Sequence, residues 1–261
     1  MLGSSSVIWQ RSSVSGRLAD AERLAERSVL ILEKTYAPND VMLLRPLQVL
    51  AAARFELGKT ARAREAFKRM QAIRIQWPED RALLHGTAAA LLEVEGRRVE
   101  AEGEYLAALR AWREANRGET GDAGAILNSL GALYIHEQRL DEARRALDRA
   151  LAIFSRAEDA APMDRIKLLN VRGVLRTRQG DWTGAEEDLH DALSMADREP
   201  WVDPVALRSL LVNYAKVLHR NHHGREARSI EARAAAIRTD GTASAIVDIT
   251  DLLPKDKPSR K

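Results

Sequence analysis

Apolar residues recur along most of this chain at three- and four-residue spacing, the period of an α-helix with one buried stripe. The clearest run reads from Ile126 to Tyr134 and resumes from Leu140 to Leu151. Between the two lies a short polar corner. The same alternation predicts pairs of helices, here called A and B. A helices are expected near 42–56, 81–95, 123–137, 164–179 and 204–221. B helices are expected near 17–36, 60–76, 98–116, 140–157, 182–197 and 224–238. Punctuation agrees with the pairs. Pro38, Pro46, Pro78, Pro162, Pro200 and Pro204 fall between units or at helix starts, and Asp203-Pro204 reads as an N-cap followed by a first-turn proline. A Gly-rich segment, 118–124, separates the third and fourth units. The pattern predicts an all-α fold.

Small residues repeat in register. Ala21, Ala63, Ala101, Ala143, Ala185 and Ala227 are 42, 38, 42, 42 and 42 residues apart. Twelve residues before each of the last five stand Ala51, Ala89, Gly131, Gly173 and Ala215. A turn position lies between the two series, at Gly16, Gly58, Gly96, Gln138, Gly180 and His222. Four residues beyond the first series come Ala25, Phe67, Tyr105, Leu147, Leu189 and Glu231. A small residue on each helix at a crossing lets the backbones approach to the short end of the 8–10 Å range. A larger side chain one turn on fills the space beside it, and a residue that tolerates a left-handed cap reverses the chain.

These columns resemble the tetratricopeptide repeat family in its longer, 42-residue form, as in kinesin light chains. Leu127-Asn128-Ser129-Leu130-Gly131-Ala132-Leu133-Tyr134, followed by Leu140-Asp141-Glu142-Ala143, carries the likeness most fully. It covers roughly residues 16–238, with 1–15 as a poorly patterned N-terminal segment and 239–261 as a tail that caps the repeats or is disordered. The first unit departs most, because its A helix would fall at Leu2–Val14, which is Ser-rich. The last departs at Glu231, where the pattern wants an apolar residue. The resemblance implies an α-solenoid: a right-handed superhelix of five to six stacked antiparallel helix pairs, its concave side lined by A helices. Each unit of such a stack contacts only its neighbours, and its ends need polar covering.

The resemblance also implies which A-helix residues line the groove. Asn128, Lys167, Asn170, Arg178, Asn213, Lys216 and Arg220 are the candidate peptide-binding residues. Unit two would add Arg45, Gln48 and Phe55, unit three Leu83, Gly86 and Glu93, and unit six Ser209. An amide can both donate to and accept from a peptide backbone. Lys and Arg can hold a carboxylate.

Composition narrows the chemistry. The chain has 261 residues, 45% of them apolar and only 5% aromatic, so it is neither disordered in bulk nor built of aromatic-rich strands. It has no cysteine, which removes disulfides, thiolate metal sites and cysteine nucleophiles together. Net charge is +3, from 41 basic and 38 acidic residues without a run of like charge, so nucleic acid is not an expected partner. Met1–Trp9 lacks the basic start and apolar core of a secretion signal, and the longest apolar stretch, Leu83–Val94, is too short to span a bilayer. A cytoplasmic protein is expected.

Catalytic motifs are weak. Gly58-Lys59-Thr60 matches the end of a phosphate-binding loop, but Ala53 stands where the first Gly is needed, and the segment follows a helix. His219, His222 and His223 lie together without a fourth ligand. No nucleophile elbow is present. The expected function is therefore a non-enzymatic scaffold, without cofactor or metal, that binds a peptide segment of a partner protein. The alternative is a regulatory or sensor module acting on a signalling enzyme or transcription factor. In the tail, Ile246, Ile249 and Leu253 would share one helix face as a cap or an intramolecular or domain-swapped ligand.

Overall fold

The computed structural model describes residues 5–157, 161–200 and 202–237, with the side chains of 5–17 outside that description. The tail 239–261 and its apolar face lie outside the described residues. Every regular element among the described residues is helical: α1 (Ser5–Leu32), α2 (Leu44–Glu56), α3 (Thr60–Gln71), α4 (Pro78–Val94), α5 (Arg98–Glu114), α6 (Gly121–His136), α7 (Leu140–Phe154), α8 (Pro162–Gln179), α9 (Trp182–Ala196), α10 (Pro204–Arg220) and α11 (Gly224–Ala236). The chain divides into two compact units, one through Glu119 and the other from Thr120 on. In the first, α2 pairs with α3 and α4 with α5, while α1 packs on α2. In the second the hairpins are α6–α7, α8–α9 and α10–α11; α6 touches α8, and α8 touches α10. Each unit is a short stack of antiparallel hairpins, the local architecture of an all-α solenoid.

Local signals account for the helix ends. Pro78, Pro162 and Pro204 begin their helices, where a missing N–H costs nothing. Asp203 accepts from the N–H groups of Val205 and Ala206 at 3.2 and 3.3 Å. All five A-to-B corners use one device. Gly58, Gly96, Gln138, Gly180 and His222 have φ between 61° and 80°. At each corner the next residue's N–H bonds back five positions, as Arg139 to the Tyr134 carbonyl at 2.8 Å and His223 to that of Leu218 at 2.8 Å. This six-to-one closure is the Schellman motif. Gln138 and His222 accept it although they lack glycine's freedom.

The corner expected at Gly16 is absent. The α1 backbone stays helical from Ser5 through Gly16 to Leu32. One glycine inside a helix costs only about 1 kcal/mol, and no proline interrupts the run. The first hairpin therefore has no separate A helix among the described residues. B helix α3 ends at Gln71, earlier than the pattern implied, and Val41–Leu43 forms a single 3-10 turn.

The registered alanines meet the neighbouring helix as expected. Ala63, Ala101, Ala143, Ala185 and Ala227 are completely buried. Where the facing position is glycine the helices are closest. A Cβ on Gly131 would lie 2.5 Å from Leu147 Cδ2, one on Gly173 2.8 Å from Leu189 Cγ, and one on Gly124 2.5 Å from the Phe154 ring. Leu147 and Leu189 are the larger residues of the repeat and have no room to retreat, being fully buried.

Gly131→Ala gains helix propensity of about 1 kcal/mol but overpacks a filled crossing at about 1–3 kcal/mol. The expected net is a loss of about 1 kcal/mol in urea unfolding. Pairing it with Leu147→Ala should cost less than the two single losses combined; strict additivity would disprove the contact.

Candidate functional site

The A helices of the second unit, α6, α8 and α10, carry all seven residues that the repeat register assigned to a groove. Their placements differ. Asn170 and Asn213 are 4% and 0% exposed, and Asn213 Nδ2 donates to Asn170 Oδ1 at 2.9 Å. They tie α8 to α10 from inside, which amends the expectation of two groove-lining amides. Asn213 stands one residue past the repeat equivalent of Asn170, Val212, and that offset turns it toward α8. Asn128, the equivalent of Asn170 on α6, is half-buried, and its Oδ1 is buried without a hydrogen-bond partner.

The cations also separate. Lys167 is exposed, one turn after Asp164, whose carboxyl burial raises in pKa. Lys216 is half-buried on α10. Arg220 leaves the row: it closes α10 and stacks over the Trp182 ring of α9, 5.3 Å from its centroid. Arg178 is half-buried, and its Nε and Nη2 are both buried without a partner. Burial accordingly lowers its pKa. These two atoms form the side edge of the guanidinium fork, which suits a carboxylate or phosphate with two parallel hydrogen bonds. The same edge of Arg172 holds Asp188 in this protein, with Nε to Oδ2 at 2.9 Å and Nη2 on Oδ1. Ser209 Oγ on α10 and Arg165 Nε on α8 are likewise buried and without partners. Every side chain with such an atom among the described residues lies on α6, α8 or α10.

The Asp188 clamp was not anticipated. Asp188 on α9 is buried, and Arg176 joins Arg172 there, 3.3 Å from Oδ2, while also donating to the Gly184 carbonyl at 2.6 Å. The signal was available: Asp188 occupies the column held by Ala66 and Ala146, where an acid must be paired, and Arg172 and Arg176 stand one helical turn apart. Arg165 carried no such signal. The polar end at Glu231 has a simple account, since this exposed residue faces His219 at 3.0 Å. His223 pairs with Glu186 at 3.0 Å. Among the described residues no three acidic or imidazole groups converge on a metal position, and no helix is long and apolar enough to cross a membrane.

In the first unit a cleft of about 280 Å³ opens between loops, lined by Asn39, Asp40, Arg74, Gln76 and Trp77 among others. Glu93, from the expected concave set of α4, accepts from the Tyr105 hydroxyl at 2.8 Å. Burial raises its pKa.

BtubC (BKLC) of P. vanneervenii is similar in fold, at 24% identity and a TM-score of 0.63, over 88% of this chain and 98% of that one. The chain has the tetratricopeptide-repeat fold. A putative kinesin light chain from Podospora anserina with nearly identical tetratricopeptide-like repeats aligns over 74% of this chain and 94% of its own, at 18% identity and a TM-score of 0.53. A chain of the APC/C hetero-tetramer Cut9–Hcn1 aligns at 15% identity and a TM-score of 0.66, over 84% of this chain and 37% of that one. No family model matches the chain, and no curated protein matches it.

Within this tetratricopeptide row, Asn170→Ala removes the Oδ1 to which Asn213 Nδ2 donates. The expected cost is about 1–3 kcal/mol in chemical unfolding; an unchanged midpoint would remove the interhelical role. Glu93 gives a pH signature. Its folded pKa is raised, so its favourable share of stability is complete below the unfolded value near 4.5 and is lost as pH rises through the folded pKa. Glu93→Gln should therefore raise the melting temperature at pH 7, with the advantage fading toward pH 4.

Proposed function

We propose that the A-helix row of the second unit binds an extended peptide segment of a partner protein, making this a non-enzymatic interaction scaffold. The observation that carries the reading is the side edge of Arg178, buried and without a partner. An uncompensated guanidinium edge is costly unless a ligand completes it, and the ligand that fits is a carboxylate from an acidic side chain or a chain end. Asn128 Oδ1 and Ser209 Oγ offer the polar contacts an extended backbone needs. Lys167, exposed on the same helix as Arg178, adds positive charge to the row. Asn170 and Asn213 act in this reading as the rigid floor, and Lys216 as part of the wall. A chain of similar fold is part of the Cut9–Hcn1 hetero-tetramer, which accords with a binding role.

Selection from a peptide display library with the full chain, followed by calorimetry on the recovered sequences, tests the proposal. Acidic peptides should emerge, and Arg178→Ala should weaken them about tenfold or more with the helical circular dichroism unchanged, a charge-assisted bond contributing about 1.5–3 kcal/mol. Binding indifferent to Arg178→Ala and to Asn128→Ala would exclude the row.

A further inference from the structure

The buried Nε–Nη2 edge of Arg178 lacks an anion, and the chain carries a candidate of its own. From Asp240 to Pro254 it has three acidic residues, Asp240, Asp248 and Asp251, and no lysine or arginine, within a chain of net charge +3. Bases return only at Lys255, Lys257, Arg260 and Lys261, with Asp256 among them. This segment follows α11, which belongs to the same unit as Arg178. Reach decides which aspartate serves. The α10–α11 hairpin is antiparallel, and Arg233 in the last turn of α11 donates to Asp197, at the end of α9, at 3.1 Å. Ile237 therefore stands level with the start of α10. Arg178 lies toward the opposite end, about 24 Å along α8 from Pro162 at 1.5 Å per residue, and one helix away from α10, about 8–10 Å. Asp240, three residues past Ile237, falls short of it. Asp248 and Asp251 follow Ile237 by eleven and fourteen residues, which span about 36 and 46 Å when extended.

We infer that residues 240–254 are an internal ligand of this chain, with the Asp248 or Asp251 carboxylate on the Arg178 edge, so that the segment occupies the row until a partner peptide displaces it. The inference rests on the peptide reading of the row and adds its regulation. Charge supports the docking. Lys167 lies on the same face of α8 as Arg178, about three turns before it. The acids nearest Arg178 in register are engaged elsewhere: Asp181 accepts from the Gly184 N–H at 2.9 Å, and Glu137 pairs with Arg139 at 2.9 Å. Asp164, and Asp122 whose charge acts on it, belong to the first turns of α8 and α6. Asp164 is about 21 Å along α8 from Arg178, so neither opposes a carboxylate there. A short tether adds what the contact lacks in strength. It holds the segment at an effective concentration on the order of millimolar, so a pairing too weak to join separate molecules still fills the site.

Photo-cross-linking of the full chain, with benzoylphenylalanine in place of Thr250, tests this without any partner. Irradiation should join that position to α8 or α10 in a product of monomer mass. Arg178→Ala should cut the yield about fivefold or more, the loss of a charge-assisted bond. Asp248→Asn with Asp251→Asn, which leaves the hairpins untouched, should do the same. A synthetic peptide of residues 240–254, added in solution, should bind this double variant about tenfold or more tightly than it binds the wild type, because apparent affinity scales with the fraction of open rows. Adding Arg178→Ala should abolish that gain. Cross-linking that is absent, or indifferent to Arg178→Ala and to the double variant, overturns the inference, as does a product of dimer mass. Acidic library peptides that still bound through Arg178 would then leave the peptide reading standing, whereas failure of every acidic peptide on the double variant would remove both.

Discussion

The structure depends on how closely two helices can approach within a hairpin. Interaxial distance is set by the side chains at the crossing, and here those are alanine or glycine on both sides. With Ala143 buried and Gly131 bare, α6 and α7 come near enough that Leu147 occupies the space a single Cβ would need. Gly173 and Leu189 repeat the contact between α8 and α9. Dispersion at such contacts is individually small and collectively large. It also leaves little tolerance, so the crossing settles where the rest of each helix must lie.

Fixed crossings have polar consequences. Once α8 is held against α9, the Asp188 carboxylate is enclosed and must be paired, which Arg172 and Arg176 accomplish from one face of α8. Once α8 touches α10, Asn170 and Asn213 bond to each other. Polar atoms left buried without a partner among the described residues remain on α6, α8 and α10. A stack that exhausts its polar groups internally has nothing to offer a ligand. This one retains Asn128, Arg165, Ser209 and the edge of Arg178.

The two units also differ in where they satisfy their surfaces. In the second, exposed polar residues of α11 pair with earlier helices, Glu231 meeting His219 and Arg233 meeting Asp197. In the first, Leu24, Leu30 and Ile31 of α1 stand exposed.

The sequence by itself determined the hairpins. Periodicity, prolines and the registered small residues placed every described α-helix after α1, with only the end of α3 set well too late, because these signals are local or repeat at a constant interval. Even the corners at Gln138 and His222 followed from register when residue type argued against them. Helix α1 escaped this reading because Gly16 is only a weak breaker, too cheap to stop a helix that nothing else interrupts. Side-chain partnerships were decided by tertiary structure alone. Asn128 and Asn170 are the same residue at the same repeat position, yet one has an unmet acceptor and the other is bonded, since only α8 has Asn213 beside it. Arg172 and Arg178 are six residues apart on one helix, yet one is neutralised by Asp188 and the other is not. Whether a polar atom is satisfied depends on what the neighbouring helix presents at that spot, and a periodic pattern carries no record of it.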